Sequence, residues 1–331
     1  MCEYSSVDGF ANDWHVVHLG SRAVGGAAVV ITEAAAVTAD GRISPDDLGI
    51  WKDEHVEMLA RIFAFVSLQG AVPGVQLAHA GRKASTAAPW KGRGNVPLEQ
   101  GGWTPIYGPS AIEFVPDYQT PVALDLQGIA AIVTAFRDGA RRVLDAGGQV
   151  IEIHAAHGYL LHSFLSPLSN RRDDRYGGSF NDRTRIVREV VSSVREVWPE
   201  SLPLFIRISA TDWTDGGWTA EDSVALAAEL KPLGVDVVDC SSGGNVARAT
   251  IPIGPGYQVR FAEQVKREAG VPTAAVGMIT DSRQAEQIVA SGQADLIFLA
   301  RQFLRDPYWP LHAARELRVE PPVPAQYLRA F

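Results

Sequence analysis

Seven short apolar runs, each followed by a stretch of helical period, constrain this chain more than any other feature. They are Ala27–Glu33, Val72–Ala78, Val150–Ile153, Leu202–Ile208, Val235–Cys240, Pro272–Val276 and Asp295–Ala300. Their apolarity is continuous rather than alternating, which predicts strands buried on both faces. The stretches between them predict helices over 54–68, 126–146, 183–198, 220–233, 258–269, 282–291 and 306–317, after a first helix over 13–24. Strand–helix alternation of this kind means parallel pairing through right-handed crossovers. The expected fold class is α/β, a (β/α)8 TIM barrel. Only seven strands can be counted, so one more would have to precede residue 5.

The chain has 331 residues, 46% of them hydrophobic, which is enough for a large core in one domain. A formal charge of −8 argues against a general nucleic-acid binder. The two cysteines, Cys2 and Cys240, give no disulfide framework and suit a reducing compartment. No apolar run approaches the roughly 20 residues that span a bilayer, and no signal-peptide core opens the chain. The reading is a cytoplasmic protein with no membrane or nucleic-acid partner. Residues 81–121 are read as one long loop rich in Gly, Pro and Trp, of a length uncommon unless functional.

Chemistry concentrates where the 150 strand ends. His154, His157 and Tyr159 follow it directly, and the C-terminal end of a barrel strand is where loops build active sites. Histidines three apart can aim two N–H donors at one oxygen, which helps most if that oxygen gains negative charge. The Tyr159 hydroxyl has a high intrinsic pKa and suits proton delivery to a basic carbon. The bland alternative is a pair of structural or metal-binding histidines. No HExxH and no Cys/His cluster accompanies them, so no metal is expected.

Gln76 could donate and accept at the edge of a planar heterocycle, or simply finish a strand. Arg207 sits within an apolar strand, so it must meet a ligand or an ion-pair partner, because burial alone costs several kcal/mol. His79, Arg82 and Lys83 could form an anion-facing loop, but a solvated loop is the favoured reading. Gly277, Ala300 and Arg301 follow the last two strands, where barrels bind phosphate. The turn Ser241–Gly244 fits the same purpose. No GxGxxG follows an early strand and no P-loop occurs.

Together these residues resemble the Old Yellow Enzyme family of FMN-dependent ene-reductases, over the whole of residues 1–331. The resemblance rests on MCEYSS at the start, QLAHAGRKAS from Gln76, EIHAAHGYLLHSFLSPLSN with RYGGS, DCSSGG, AVGMIT and ARQFLRDP. It is greatest for the bacterial thermophilic-like subclass, in which a cysteine and a tyrosine stand two apart as Cys2 and Tyr4 do. The resemblance implies FMN as cofactor, NADPH or NADH as reductant, and an α,β-unsaturated carbonyl substrate. It implies Gln76 and Arg207 on the flavin pyrimidine edge, Arg207 stabilising the anionic reduced ring, and Ala34 lining the flavin. It further implies Gly277, Ala300 and Arg301 on the phosphate, and Cys2 tuning the potential. His154 and His157 would grip the substrate carbonyl, Tyr159 would protonate the α-carbon and Tyr4 would position the substrate. A tail over 322–331 would carry Arg329 into a neighbouring subunit of a homodimer or homotetramer. The family's N-terminal hairpin and first strand have no counterpart here, so the barrel is expected to lack them.

Three other readings compete. A flavin-binding barrel inactive for want of that strand is one. A non-redox phosphate-binding barrel enzyme, with Lys83 or Asp239 as its weak candidates, is another. A multidomain dienoyl-CoA-type reductase would need clustered cysteines that the chain lacks.

Overall fold

The computed structural model describes residues 1–330. Its seven parallel strands form one curled sheet in chain order: β1 (Val29–Ala36), β2 (Val72–Ala78), β3 (Val150–Ala155), β4 (Leu204–Ser209), β5 (Val237–Ser241), β6 (Thr273–Ala275) and β7 (Leu296–Ile297). The helices are α1 (Asp13–Val24), α2 (Val56–Leu68), α3 (Leu126–Asp145), α4 (Leu160–Leu165), α5 (Phe180–Arg195), α6 (Ala220–Leu230), α7 (Val259–Ala269), α8 (Ser282–Ala290), α9 (Arg301–Arg305) and α10 (Trp309–Glu316). All seven expected strands are present. The sheet does not close among the described residues: β1 pairs only with β2 and β7 only with β6. A groove of about 290 Å³ runs between these two edges.

Several boundaries differ from expectation for local reasons. Helix α5 begins three residues early because the Ser179 side chain accepts from Asp182 N and caps it. Phe180, its first residue, stacks on Trp218 with centroids 5.9 Å apart. The last strand shrinks to two residues and has a partner on one side only. The expected closing helix is α10, which starts three residues late at Trp309, and an unexpected short helix, α9, precedes it. Residues 81–121 hold short 3-10 turns and one strand of a two-residue ladder, Tyr107–Gly108 with Val122–Ala123. No helix is long and apolar enough to cross a membrane among the described residues.

Successive strand residues face opposite ways, and that period sorts the interior into layers. Val150, Phe205, Val237 and Ala274 form an apolar floor, joined by Val29, Ile31, Val72, Leu296 and Phe298. Their odd-step neighbours, such as Ile151, Ile206 and Val238, pack outward in the large cluster with the helices. Two residues above the floor stand Glu152, Arg207 and Asp239; two further stand His154, Ser209 and Ser241. In β1 the register slips between Ile31 and Ala34. That bulge turns Ala34 and Ala36 inward, where they line a small cavity with Tyr159.

Helix α5 and the start of α6 meet through Trp218, which is 1% exposed and donates from Nε1 to Ser223 Oγ at 2.7 Å. Trp218→Ala removes that bond and the Phe180 stack together. The expected loss is about 3–5 kcal/mol in urea unfolding, against about 0.5 kcal/mol for a surface control.

Candidate active site

The site stands at the C-terminal mouth of β3, β4 and β5. His154 ends the inward row of β3. It is 4% exposed, and its Nδ1 has no partner in the protein. His157 follows on the turn, with φ of +59°. The rings of His154 and His157 meet edge to face at 5.1 Å, and Tyr159 lies 5.1 Å from His154. The structure thus gathers all three predicted residues at one point.

The turn holds its left-handed geometry because its surroundings over-determine it. His157 N donates to Ser209 Oγ at 2.8 Å, and His157 Nε2 bonds Ser241 Oγ at 2.7 Å. Two glycines let the loops after β3 and β5 touch. A Cβ on Gly158 would stand 2.4 Å from Gly244 O, and one on Gly244 would stand 2.7 Å from His157 Cα. Beneath the turn, Gly158 N donates to His162 Nδ1 at 2.8 Å. A neutral His162 therefore carries its proton on Nε2, which lies 3.1 Å from Asp212 Oδ1. Asp212 also accepts from Ser166 Oγ and Trp218 N. Burial pulls its carboxyl upward, but these partners outweigh it and hold it at about 2.

Electrostatics favour neutral donors at the mouth. Burial first, then the nearby Arg207 charge, pushes His154 and His157 well below the usual imidazole range. Burial pushes the Tyr159 hydroxyl well above its ordinary value. Both imidazoles are therefore uncharged near neutrality, and the phenol keeps its proton.

The loop after β2 is not the solvated one expected. His79 and Arg82 are buried. Arg82 donates to Asn245 O and Oδ1 at 2.7 and 2.8 Å, and Lys83 donates to the carbonyls of His157 and Gly244. These carbonyls belong to tight turns and have no sheet partner, so the cations satisfy them. Burial and Arg82 lower the Lys83 ammonium to about 7. The Ser241–Gly244 turn is likewise engaged: Ser242 Oγ donates to Gln258 Oε1 at 2.6 Å, and Ser241 holds His157.

The remaining predicted residues divide into groups. Gln76, Arg207 and Ala300 line the open groove with Val276. Gly277 follows Val276 with φ of +123°, where a Cβ would stand 2.7 Å from Gln258 Nε2. Arg301 is exposed and opens α9. Cys2 and Tyr4 pack with Tyr159 on Ile43, Ala80, Ala84 and Ile106. Burial raises the Cys2 thiol and the Tyr4 phenol. Arg329 is exposed on the last 3-10 turn, Ala325–Ala330, away from this cluster. Reading the sequence missed Lys83, His162, Ser209, Asp212 and Ser241 as supports. Inward parity could have pointed to Ser209 and Ser241, whereas the others depend on loop contacts.

A family model for NADH:flavin oxidoreductases and NADH oxidases matches residues 1–320. The chain belongs to this family. It is 49% identical to the NADPH dehydrogenase of Geobacillus thermodenitrificans, over 100% of this chain and 92% of that one. It is 46% identical to the NADPH dehydrogenase of Bacillus subtilis, over 100% and 93%. Among solved structures, morphinone reductase in complex with tetrahydroNAD superposes with a TM-score of 0.79 at 24% identity, over 99% of this chain and 88% of that one. A 2-naphthoyl-CoA reductase complex gives a TM-score of 0.85 at 23% identity, over 96% and 49%. The chain is a flavin-dependent oxidoreductase, with FMN as cofactor and a nicotinamide nucleotide as reductant.

The depressed carboxyl of Asp212 yields a signed prediction. Its contribution to stability is present above the unfolded value, near 4, and is lost as pH falls toward 2. Wild type should exceed Asp212→Asn in unfolding free energy by about 2 kcal/mol at pH 6. The gap should shrink on acidification to pH 2.5. A gap independent of pH would show that the Asp212 charge does not hold this turn.

Proposed function

We propose that this enzyme reduces the C=C bond of α,β-unsaturated carbonyl compounds, with Tyr159 as proton donor. The observation that carries the reading is the convergence of two neutral imidazoles, one buried and one half-buried, and a protonated phenol. They meet beside a groove lined by Gln76, Arg207 and Ala300.

The residues present fit FMN. Arg207 lines the groove while its Nε is ion-paired to Asp239 at 3.0 Å. Gln76 lies across from Ala34 in register and borders the groove with Arg207. Gly277, at a φ of +123°, leaves its backbone uncovered by any side chain of its own. Gln76 and Arg207 would hold the pyrimidine edge, with Ala34 along the ring and Cys2 beside it. Gly277, Ala300 and Arg301 would hold the phosphate. When bound, FMN supplies the hydride that it has received from NADPH or NADH.

The chain's own groups do the rest. His154 and His157 donate hydrogen bonds to the substrate carbonyl oxygen, and these strengthen as that oxygen gains negative charge. Being uncharged, they polarise the carbonyl and keep the N–H protons they donate, which a neutral imidazole does not give up near neutral pH. Ser241 fixes the orientation of His157. Tyr159 delivers its proton to Cα, the carbon next to the carbonyl. Its raised pKa suits a basic carbon acceptor and keeps it loaded at neutral pH. Tyr4, which meets Trp90 edge to face at 5.5 Å, would orient the substrate.

The wider expectations belong to this proposal. The fold proposed is a (β/α)8 barrel, of which the curled seven-stranded sheet is the described part. A cytoplasmic homodimer or homotetramer, with Arg329 reaching a neighbouring site, completes the reading.

Separating the half-reactions tests it. Tyr159→Phe should leave the rate of FMN reduction by NADPH within about twofold. It should slow reoxidation by cyclohexenone by about 10²–10⁴-fold. His157→Ala should slow the same step by roughly 10²-fold. Equal loss in both half-reactions would remove Tyr159 from proton delivery. Unchanged reoxidation would do the same.

A further inference from the structure

Between the apolar floor and the histidine mouth lies a layer of charge that this mechanism does not use. Glu152 and Asp239 occupy inward positions on β3 and β5, with Arg207 on β4 between them. The carboxyls are 1% and 0% exposed. Arg207 Nε lies 3.0 Å from Asp239 Oδ2 as an ion pair, without the alignment of a hydrogen bond. Gln76 Nε2 donates to Glu152 Oε2. Glu152 Oε1 and both Asp239 oxygens have no hydrogen-bond donor, yet the two carboxyls lie within hydrogen-bonding reach of each other.

Two ionised carboxylates are acceptors only and cannot bond each other. Leaving both charged in this interior would set two negative charges against one guanidinium, with orphaned acceptors facing each other. One proton placed between them removes the excess charge and makes the bond. The other groups facing the pair do not alter this balance. Gln76 on β2 and Ala274 on β6 are neutral, His154 above is uncharged, and the chain's N-terminal amine lowers Glu152 less than Arg207 and Gln76 do.

We propose that Glu152 and Asp239 hold a single proton between them, so that with Arg207 the layer is neutral, and that this balance sets the charge Arg207 presents to FMN. The second half rests on the placement of FMN against Gln76 and Arg207 given above. Glu152 and Asp239 are then positioning residues that act through Arg207. Burial raises both carboxyls, in keeping with a retained proton.

An amide has the shape of a protonated carboxyl. Glu152→Gln or Asp239→Asn alone therefore mimics the shared proton and leaves one carboxylate facing Arg207. Only the double variant strips the last negative charge. The first arm uses FMN-free protein. A raised carboxyl contributes stability in full below its unfolded value near 4, and loses it as pH rises through the folded value. The wild-type urea midpoint should therefore fall from pH 5 to pH 9 relative to either single variant. Parallel pH profiles would overturn the shared proton.

The second arm reads the potential of bound FMN, as the ratio of oxidised to reduced dissociation constants. Each single variant should leave the ratio within about twofold. The double variant should shift it toward reduced FMN on the order of tenfold, the scale of one uncompensated nearby charge. Single variants that each shift the ratio as much as the double would overturn the proposal. If the pH profiles behave as expected but the double variant leaves the ratio unchanged, the pair stands and the placement of FMN over Arg207 fails. Should the double variant not fold, the wild type decides. Its potential should fall with rising pH more steeply than that of Asp239→Asn, as the pair gives up its proton beneath Arg207. Equal slopes would overturn the coupling.

Discussion

Arg207 cannot stand alone inside a parallel sheet, and much of the site follows from how its charge is met. A guanidinium at an inward strand position needs a carboxylate beside it or a ligand above it. Here Asp239 supplies the first at 3.0 Å, and the groove supplies room for the second. The same charge helps keep His154 and His157 unprotonated. One cation thus links the interior of the sheet to the protonation states at its mouth.

The layering that makes this possible comes from strand geometry. A period of two puts Val150, Glu152 and His154 in one row, and Phe205, Arg207 and Ser209 in the next. The apolar floor excludes water below, and the polar mouth holds short hydrogen bonds above. Catalytic side chains then sit on strand ends and on one turn. That turn is clamped by Ser209, Ser241 and the His162–Asp212 pair. Such clamping keeps donors in place where charge develops, which is how preorganised sites lower barriers.

Much of this was legible in the sequence. The seven apolar runs gave the strand count and order, because burial on both faces leaves a continuous apolar signature. His154, His157 and Tyr159 were legible because they follow a strand within a few residues. Arg207 was legible because a charge in an apolar strand demands a partner. The bulge that turns Ala34 inward was not, since it depends on register with β2. Lys83 and Arg82 were misread as solvated because the carbonyls they satisfy lie about 75 and 160 residues further along the chain. The role of Asp212 was hidden for the same reason: its partner His162 lies on α4, far away in the sequence.

The central claim is that this site holds FMN and passes reducing equivalents from a nicotinamide to an enone. An anaerobic absorbance titration tests it most directly. The purified protein is saturated with FMN, given NADPH, then given cyclohexenone. The account predicts a bound-flavin band that bleaches with NADPH and returns with the enone. A protein that binds no FMN, or whose reduced flavin is indifferent to the enone, would contradict it.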